Sequence, residues 1–192
     1  MEEQKYIIKW DDSLDVGISW IDNQHKKLLE KINDLLNATT QTKGKYEIGS
    51  VIKFLERYIS VHFGLEDKYM LKYNYSKYKD HVDKHKTFIA EFKKIKEEYQ
   101  QLGISDTLAL KITKELWEWY KIHIANIDKA FGVFLKENKI SDDELQIAAW
   151  TEEVINLMEV FPAFESAKNR QKIISECREL LTKLENHVLL HS

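Results

Sequence analysis

Residues 78–99 read YKDHVDKHKTFIAEFKKIKEEY. Within this stretch Tyr78, His81, His85, Phe88, Phe92, Ile95 and Tyr99 recur at intervals of three and four, the repeat of one face of an amphipathic α-helix. Three more stripes with the same repeat lie on either side. The first is Ile21, His25, Leu28, Ile32 and Leu35; the second is Ile48, Ile52, Leu55, Ile59, His62, Glu66 and Tyr69. Ile112, Leu116, Trp119, His123, Ile127, Phe131 and Phe134 make the fourth. A polar stretch, 38–45 with Gly44, separates the first two stripes. Gly103 supplies a C-terminal stop, and Ser105 or Asp106 a cap for the helix that follows. Short connections between helices of similar length make sequence neighbours antiparallel. The expected fold is therefore all-α, an antiparallel up-down-up-down four-helix bundle.

Bulk properties agree and narrow the function. The chain has 192 residues, 43% hydrophobic and 32% charged, enough apolar material for a packed core and too much for wholesale disorder. One proline and six glycines leave few breaks in long helices. A net charge of −3, from 29 basic and 32 acidic residues, argues against a nucleic-acid or membrane-surface partner. No apolar run approaches a membrane span, and Met1 to Trp10 is unlike a signal peptide. Cys177 is alone, which rules out an internal disulfide and a cysteine-based metal knuckle. A cytoplasmic location is the resulting expectation.

The bundle is expected to occupy 1–137 and a C-terminal helical extension 138–192. Ser141-x-x-Glu144 reads as a capping box. The helix it opens has Leu145, Ala149, Ile155 and Met158 on one face, with Trp150 exposed, and Pro162 breaks the chain after it. Ile173, Cys177, Leu180, Leu181, Leu184 and Val188 describe a final amphipathic helix, on which Cys177 reads as a small apolar residue. Two such helices cannot bury both faces alone. They are expected to pack on the bundle, on a second copy or on another protein, with a homodimer favoured. His187 and His191 form an i, i+4 pair with no third ligand in view and read as solvated.

The bundle stripes contain an anomaly. Slots that should be apolar hold His25, His62, Glu66, His81, His85 and His123, and five of the seven histidines in the chain are on these inward stripes. One core histidine is ordinarily a hydrogen-bonded one. Five, with a carboxylate whose burial alone costs several kcal/mol, are not explained by packing. Bound cations would satisfy them together. His62-x-x-x-Glu66 and His81-x-x-x-His85 each place two donors one turn apart on one face. His123-x-x-x-x-Asp128 is an i, i+5 pair, which an ideal α-helix turns about 140° apart. Spacing alone thus leaves Asp128 on the surface or in the core. If both are ligands, the helix should unwind or form a π-turn between them.

The ordered set His25, His62-x-x-x-Glu66, His81-x-x-x-His85, His123-x-x-x-x-Asp128 resembles the complete ligand pattern of the hemerythrin family. Its flanks agree with bacterial members: Trp10, Val16-Gly17-Ile18, Ile21-Asp22, Gln24, Phe63, Met70, Tyr78, Phe88, Trp119 and Ile124. The resemblance spans about residues 8–137. It implies two iron ions: His81, His85 and His123 on one, His25 and His62 on the other, with Glu66, Asp128 and a solvent-derived oxo or hydroxo group bridging them. Counting donors then gives six on the first iron and five on the second, leaving one open position. Dioxygen would bind there end-on, take two electrons from two Fe(II) ions and the bridge proton, and be held reversibly as hydroperoxide. Residue type alone leaves zinc open, since it also favours imidazole.

Two other function classes follow from the same residues. The centre can be a redox enzyme acting on peroxide or nitric oxide, although the Glu-x-x-His motifs usual in di-iron carboxylate enzymes of helical bundles are absent from the four stripes. It can also be a redox sensor signalling through the C-terminal helices. Trp119 and Tyr120 are expected around the oxygen pocket. The family usually has leucine at the position of Tyr120, whose larger side chain either fills space or donates a hydrogen bond to the bound ligand.

Overall fold

A computed structural model describes residues 7–40, 44–103 and 105–160, with isolated positions between 171 and 182. Every regular element among them is helical, and none is long and apolar enough to cross a membrane. Helix α1 is Ser19–Thr40, preceded by a short 3-10 turn at Asp12–Leu14. Helix α2 has three parts, an α segment Gly44–Tyr58, a π-turn Ile59–Phe63 and a second α segment Gly64–Lys72. Helix α3 is Tyr78–Leu102. Helix α4 is built like α2, with Asp106–Ile122, a π-turn His123–Asp128 and Lys129–Glu137; α5 is Asp142–Val160.

The boundaries follow local chemistry. Ser105, in extended backbone, accepts a hydrogen bond from the Leu108 amide at 3.1 Å and caps α4. Gly103 ends α3 at φ 71°, where a side chain would be strained, and donates its amide to Tyr99. Before α1, the buried Asp22 carboxylate accepts from the Val16 and Gly17 amides at 2.8 and 2.9 Å, tying the incoming strand of chain to the first turn.

Contacts between helix ends fix the topology. Lys129 near the end of α4 donates to the Ser13 carbonyl just before α1. Lys96 late in α3 pairs with Glu56 near the middle of α2 while His85 early in α3 meets Glu66 late in α2, and Lys111 at the start of α4 pairs with Glu98 at the end of α3. Each neighbour therefore runs opposite to the next, giving an up-down-up-down bundle. Ile21, Leu28, Ile32 and Leu35 from α1, Ile48 and Leu55 from α2, Ile112 from α4 and Phe131 beyond its π-turn are all fully buried. At 25–30 cal/mol per Å² of apolar surface, each large side chain contributes about 1.5–3 kcal/mol.

Tyr78, Tyr99, Trp119 and Phe134 are half-buried on their stripes, and two further assignments need correction. Ile59 and Ile127 are only half-buried, while Tyr58 and Asp128 are buried in their place. Each lies at a π-turn, whose extra residue shifts the phase of the buried face relative to a uniform 3.6 repeat.

The chain divides into two compact units, Met1–Lys136 and Glu137–Ser192. In the second, the Glu144 amide lies 3.4 Å from Ser141 Oγ at the start of α5, as the capping box requires. Leu145, Ala149 and Ile155 are buried and Trp150 is 60% exposed. The expectations for the Met158 side chain, Pro162, the helix from Ile173 to Val188, Cys177, His187 and His191 lie outside what is described.

Candidate metal centre

Each helix of the bundle brings donors to one point, reached in the first third of α1 and α3 and past the middle of α2 and α4. His25 comes from α1, His62 from the π-turn of α2 and Glu66 one turn later, His81 and His85 from α3, and His123 and Asp128 from the two ends of the π-turn of α4. All seven are at most 2% exposed. The π-turn in α4 answers the i, i+5 problem: its hydrogen bond closes one residue later than an α-turn, so His123 and Asp128 face the same way. The π-turn in α2 has no counterpart in the sequence reading, because the i, i+4 spacing of His62 and Glu66 is satisfied by an ordinary helix.

The donors fall into two groups that share Asp128. Glu66, His81, His85, His123 and Asp128 form one, and His25, His62 and Asp128 the other; within each, ligand atoms lie within 4.8 Å of one another. Asp128 spans them, with Oδ1 3.0 Å from His123 Nε2 and 3.2 Å from His81 Nε2, and Oδ2 3.1 Å from His25 Nε2. Glu66 Oε2 is 3.1 Å from His85 Nε2, 3.3 Å from His81 Nε2 and 3.8 Å from His62 Nε2. The Nε2 atoms of His25 and His62 approach to 3.2 Å.

These distances test whether a metal suits the site. Donors about 2.1 Å from a shared ion and at right angles lie about 3.0 Å apart. The observed approaches cluster at 3.0–3.3 Å. Hydrogen bonding does not account for them, since the carboxylate oxygens of Glu66 and Asp128 and the Nε2 atoms of His81, His85 and His123 have no hydrogen-bond partner among the described residues. Seven buried donor residues converging on one point, five of them with cluster-facing atoms left unpaired, would be a large destabilisation without cations. The residues present fit a pair of metal ions.

Electrostatics within the cluster are strongly coupled. Burial and the neighbouring Asp128 charge push the Glu66 carboxyl up, but the imidazoles of His62, His81 and His85 outweigh them and hold it below its ordinary range. Burial likewise opposes ionisation of Asp128, and His123, His25 and His81 reverse the effect. His62 is pushed down to about 3 by burial, and burial also lowers His123. Burial acts the same way on His81, but Asp128 and Glu66 overcome it and raise it to about 10. His85 is also raised: burial lowers it, while Asp67 and Glu66 more than compensate. Two carboxylates thus remain charged in the core, as cation ligands must.

Aromatic rings seal the cluster. Phe63 lies flat on His85 at 3.9 Å and 7°, and Trp119 on His123 at 4.4 Å and 17°. Trp119, expected at the oxygen pocket, packs on His123. Tyr120 is fully buried. Three residues outside the sequence reading touch donors directly, Asp67, Tyr58 and Trp20, the last edge-on to His62 at 5.6 Å; the first two make the closer contacts. Asp67 Oδ1 accepts from His85 Nδ1 at 3.0 Å, leaving Nε2 free to face the cluster. Tyr58 stacks on His62 at 4.4 Å and 27°. Their signal in the sequence was position alone, next to Glu66 and one turn before His62.

Comparisons with known proteins point the same way. A family model described as the hemerythrin HHE cation binding domain matches residues 16–135. The chain is similar to a bacteriohemerythrin of Pseudomonas paraeruginosa, 32% identical over 122 residues, which cover 64% of this chain and 77% of that protein. It is also similar to one of Clostridium acetobutylicum, 32% identical over 129 residues, covering 64% of this chain and 96% of that protein. A third, from Stenotrophomonas maltophilia, is 28% identical over 126 residues, 66% of this chain and 80% of the relative.

Proposed function

Because the chain belongs to the hemerythrin family, we propose that its buried cluster holds two iron ions and that the protein binds dioxygen reversibly. The observation carrying this reading is the unequal partition of donors around two carboxylates: three histidines on one side, His81, His85 and His123, and two on the other, His25 and His62. Asp128 belongs to both sets and Glu66 Oε2 reaches His62 at 3.8 Å as well as His81 and His85, so these two carboxylates would hold the pair jointly. With both carboxylates shared, the three-histidine side is one protein donor richer, so exchange of a small ligand is confined to the His25–His62 side. These residues would hold a pair of ferrous ions, which would supply two electrons and an exchangeable position to dioxygen.

The chain's own residues then do three things. Asp67 fixes the tautomer of His85 by accepting from Nδ1. The flat contacts of Phe63 and Trp119 cover the three-histidine side and keep water from a second exchange position. Five neutral imidazoles against two carboxylates keep the net charge of a loaded centre small, which suits a buried site. Few oxygen donors and confined exchange favour reversible binding over oxidation of a substrate.

Repeated oxygenation tests this. Protein reconstituted with ferrous iron without air should develop a visible absorption band on admission of dioxygen. It should lose that band on evacuation, over several cycles. Irreversible bleaching with stoichiometric consumption of oxygen would instead indicate an oxidase or a peroxide-producing enzyme.

A further inference from the structure

The cluster residues are at most 2% exposed, so an electron that reduces metal held among them must cross a shell of side chains. Transfer falls off steeply with distance, which favours entry where a reductant comes nearest to a cluster imidazole. Among the described residues, the aromatic rings that meet those imidazoles belong to Trp20, Tyr58, Phe63, Phe131 and Trp119. The first four are buried; Trp119, stacked on His123 at 4.4 Å, is half-buried. Phe63 links the His85 side to the same place, with its ring 3.9 Å from His85 and 5.6 Å from both Trp119 and Phe88.

Trp119 and Phe88 also line a groove of about 320 Å³ between α3 and α4. Phe92 lies buried in it, and Ile122, 63% exposed, adds apolar surface at its edge. Apolar surface continuous with a recess and rimmed by polar groups marks a contact surface. The rim is one-sided in charge, because Glu91, Glu115 and Glu118 line the groove and no lysine or arginine does. Nearby lysines are engaged elsewhere or only weakly. Lys94 meets Glu91 at 2.8 Å and Lys114 meets Glu118 at 4.0 Å, both as exposed pairs within one helix, and Lys111 is held by Glu98 at 2.6 Å.

Resting on the iron pair of the proposed function, we propose that this groove is where reducing electrons enter. It docks a one-electron carrier whose redox edge is apolar and ringed with positive charge, and passes the electron by way of Trp119 to His123. Two carriers, each oxidised by one electron, return two ferric ions to the ferrous state, and no covalent bond to the protein forms or breaks. The apolar lining displaces water beneath the carrier, while the three carboxylates steer and orient it. A recess of this size suits the small, short-lived contacts of electron transfer, from which a spent carrier must leave.

Two small reductants of opposite charge serve as probes of the diferric full chain without air: hexaammineruthenium(II), a cation, and the ferrous EDTA chelate, an anion. At low salt Glu91→Gln/Glu115→Gln/Glu118→Gln should slow the cation about tenfold without slowing the anion, and added salt should erase the difference. Iron content should not change, since the three carboxylates lie outside the cluster. Redox-inert hexaamminecobalt(III) gives a readout that needs no iron. In the zinc-loaded chain it should shift amide resonances within 87–95 and 115–122, and the triple variant should lose those shifts. Equal cation rates in parent and variant overturn the proposal, as do amide shifts that fall elsewhere. Rates that decline as protein concentration rises, the mark of a second copy seated in the groove, overturn it too. A parent that loads two irons but yields to neither reductant defeats the redox reading of the cluster, a different failure from one in which both reductants work and the groove does not matter.

Discussion

Asp67 offers the cleanest quantitative test of how the cluster is held. Its Oδ1 lies 3.0 Å from His85 Nδ1, and the side chain is 36% exposed against 2% for the imidazole. Removing the acceptor by Asp67→Ala frees His85 to rotate and to adopt the other tautomer, so that Nε2 no longer presents its lone pair inward. Outer partners of this kind are typically worth about 10–100-fold in metal affinity. Because Asp67 is partly solvated, its charge is screened, and the lower end applies: about tenfold, or about 1.4 kcal/mol. The loss should fall on one ion of the two, the one that His81, His85 and His123 would hold. Asp67→Asn retains an oxygen that accepts from Nδ1 and should lose only a few-fold. Competition against a chromophoric chelator, with zinc as a redox-silent probe, resolves the two binding steps. Urea unfolding of the metal-free variants corrects for any change in stability. Affinity within twofold of the parent in Asp67→Ala, or a larger loss in Asp67→Asn than in Asp67→Ala, refutes the reasoning.

Other consequences follow from the same packing and charges. A Cβ on Gly132 would collide with Val16 Cγ1 and come within 2.6 Å of its carbonyl oxygen, so Gly132→Ala should lower stability by about 1–3 kcal/mol in denaturant titrations; an unchanged midpoint would show that the segment before α1 yields freely. In the metal-free protein, His62 at about 3 and the lowered His123 take up protons only after unfolding, so stability falls as the pH drops below the ordinary histidine value of 6.5. His81 at about 10 and the raised His85 act oppositely: their contribution is complete below 6.5 and is lost as pH rises toward 10. Urea midpoints of the metal-free protein should therefore peak near pH 6.5, and a monotonic rise from pH 5 to 9 contradicts the assignment. Metal uptake at pH 7 should release protons, chiefly from His81 and His85, and acidify a weakly buffered solution; uptake without proton release would mean that these two imidazoles are already neutral.

Much of this was legible in the sequence, for a physical reason. A regular helix repeats every 3.6 residues, so His25, His81 and His85 could be seen to share a face with leucines and phenylalanines, and their chemistry stood out against that background. The helix count and the caps at Ser105 and Ser141 followed from equally local rules. Legibility failed where the repeat itself changes. Within α4 the spacing of His123 and Asp128 at least signalled a π-turn; within α2 nothing in the spacing of His62 and Glu66 did, and the uniform repeat pointed to Ile59 where Tyr58 is buried. Asp67 and Trp119 were obscure for another reason. Which donor a carboxylate or an indole meets depends on how neighbouring helices are placed, and one helix's own periodicity does not contain that information.

Metal content and absorption measured on the same sample probe the central claim most directly. Protein reconstituted with iron and separated from excess should contain two irons per chain, with the near-ultraviolet bands of a bridged ferric pair. His62→Ala should lower the iron content and abolish the bands. A single metal per chain, or a full complement of iron that His62→Ala leaves undisturbed, would contradict the account.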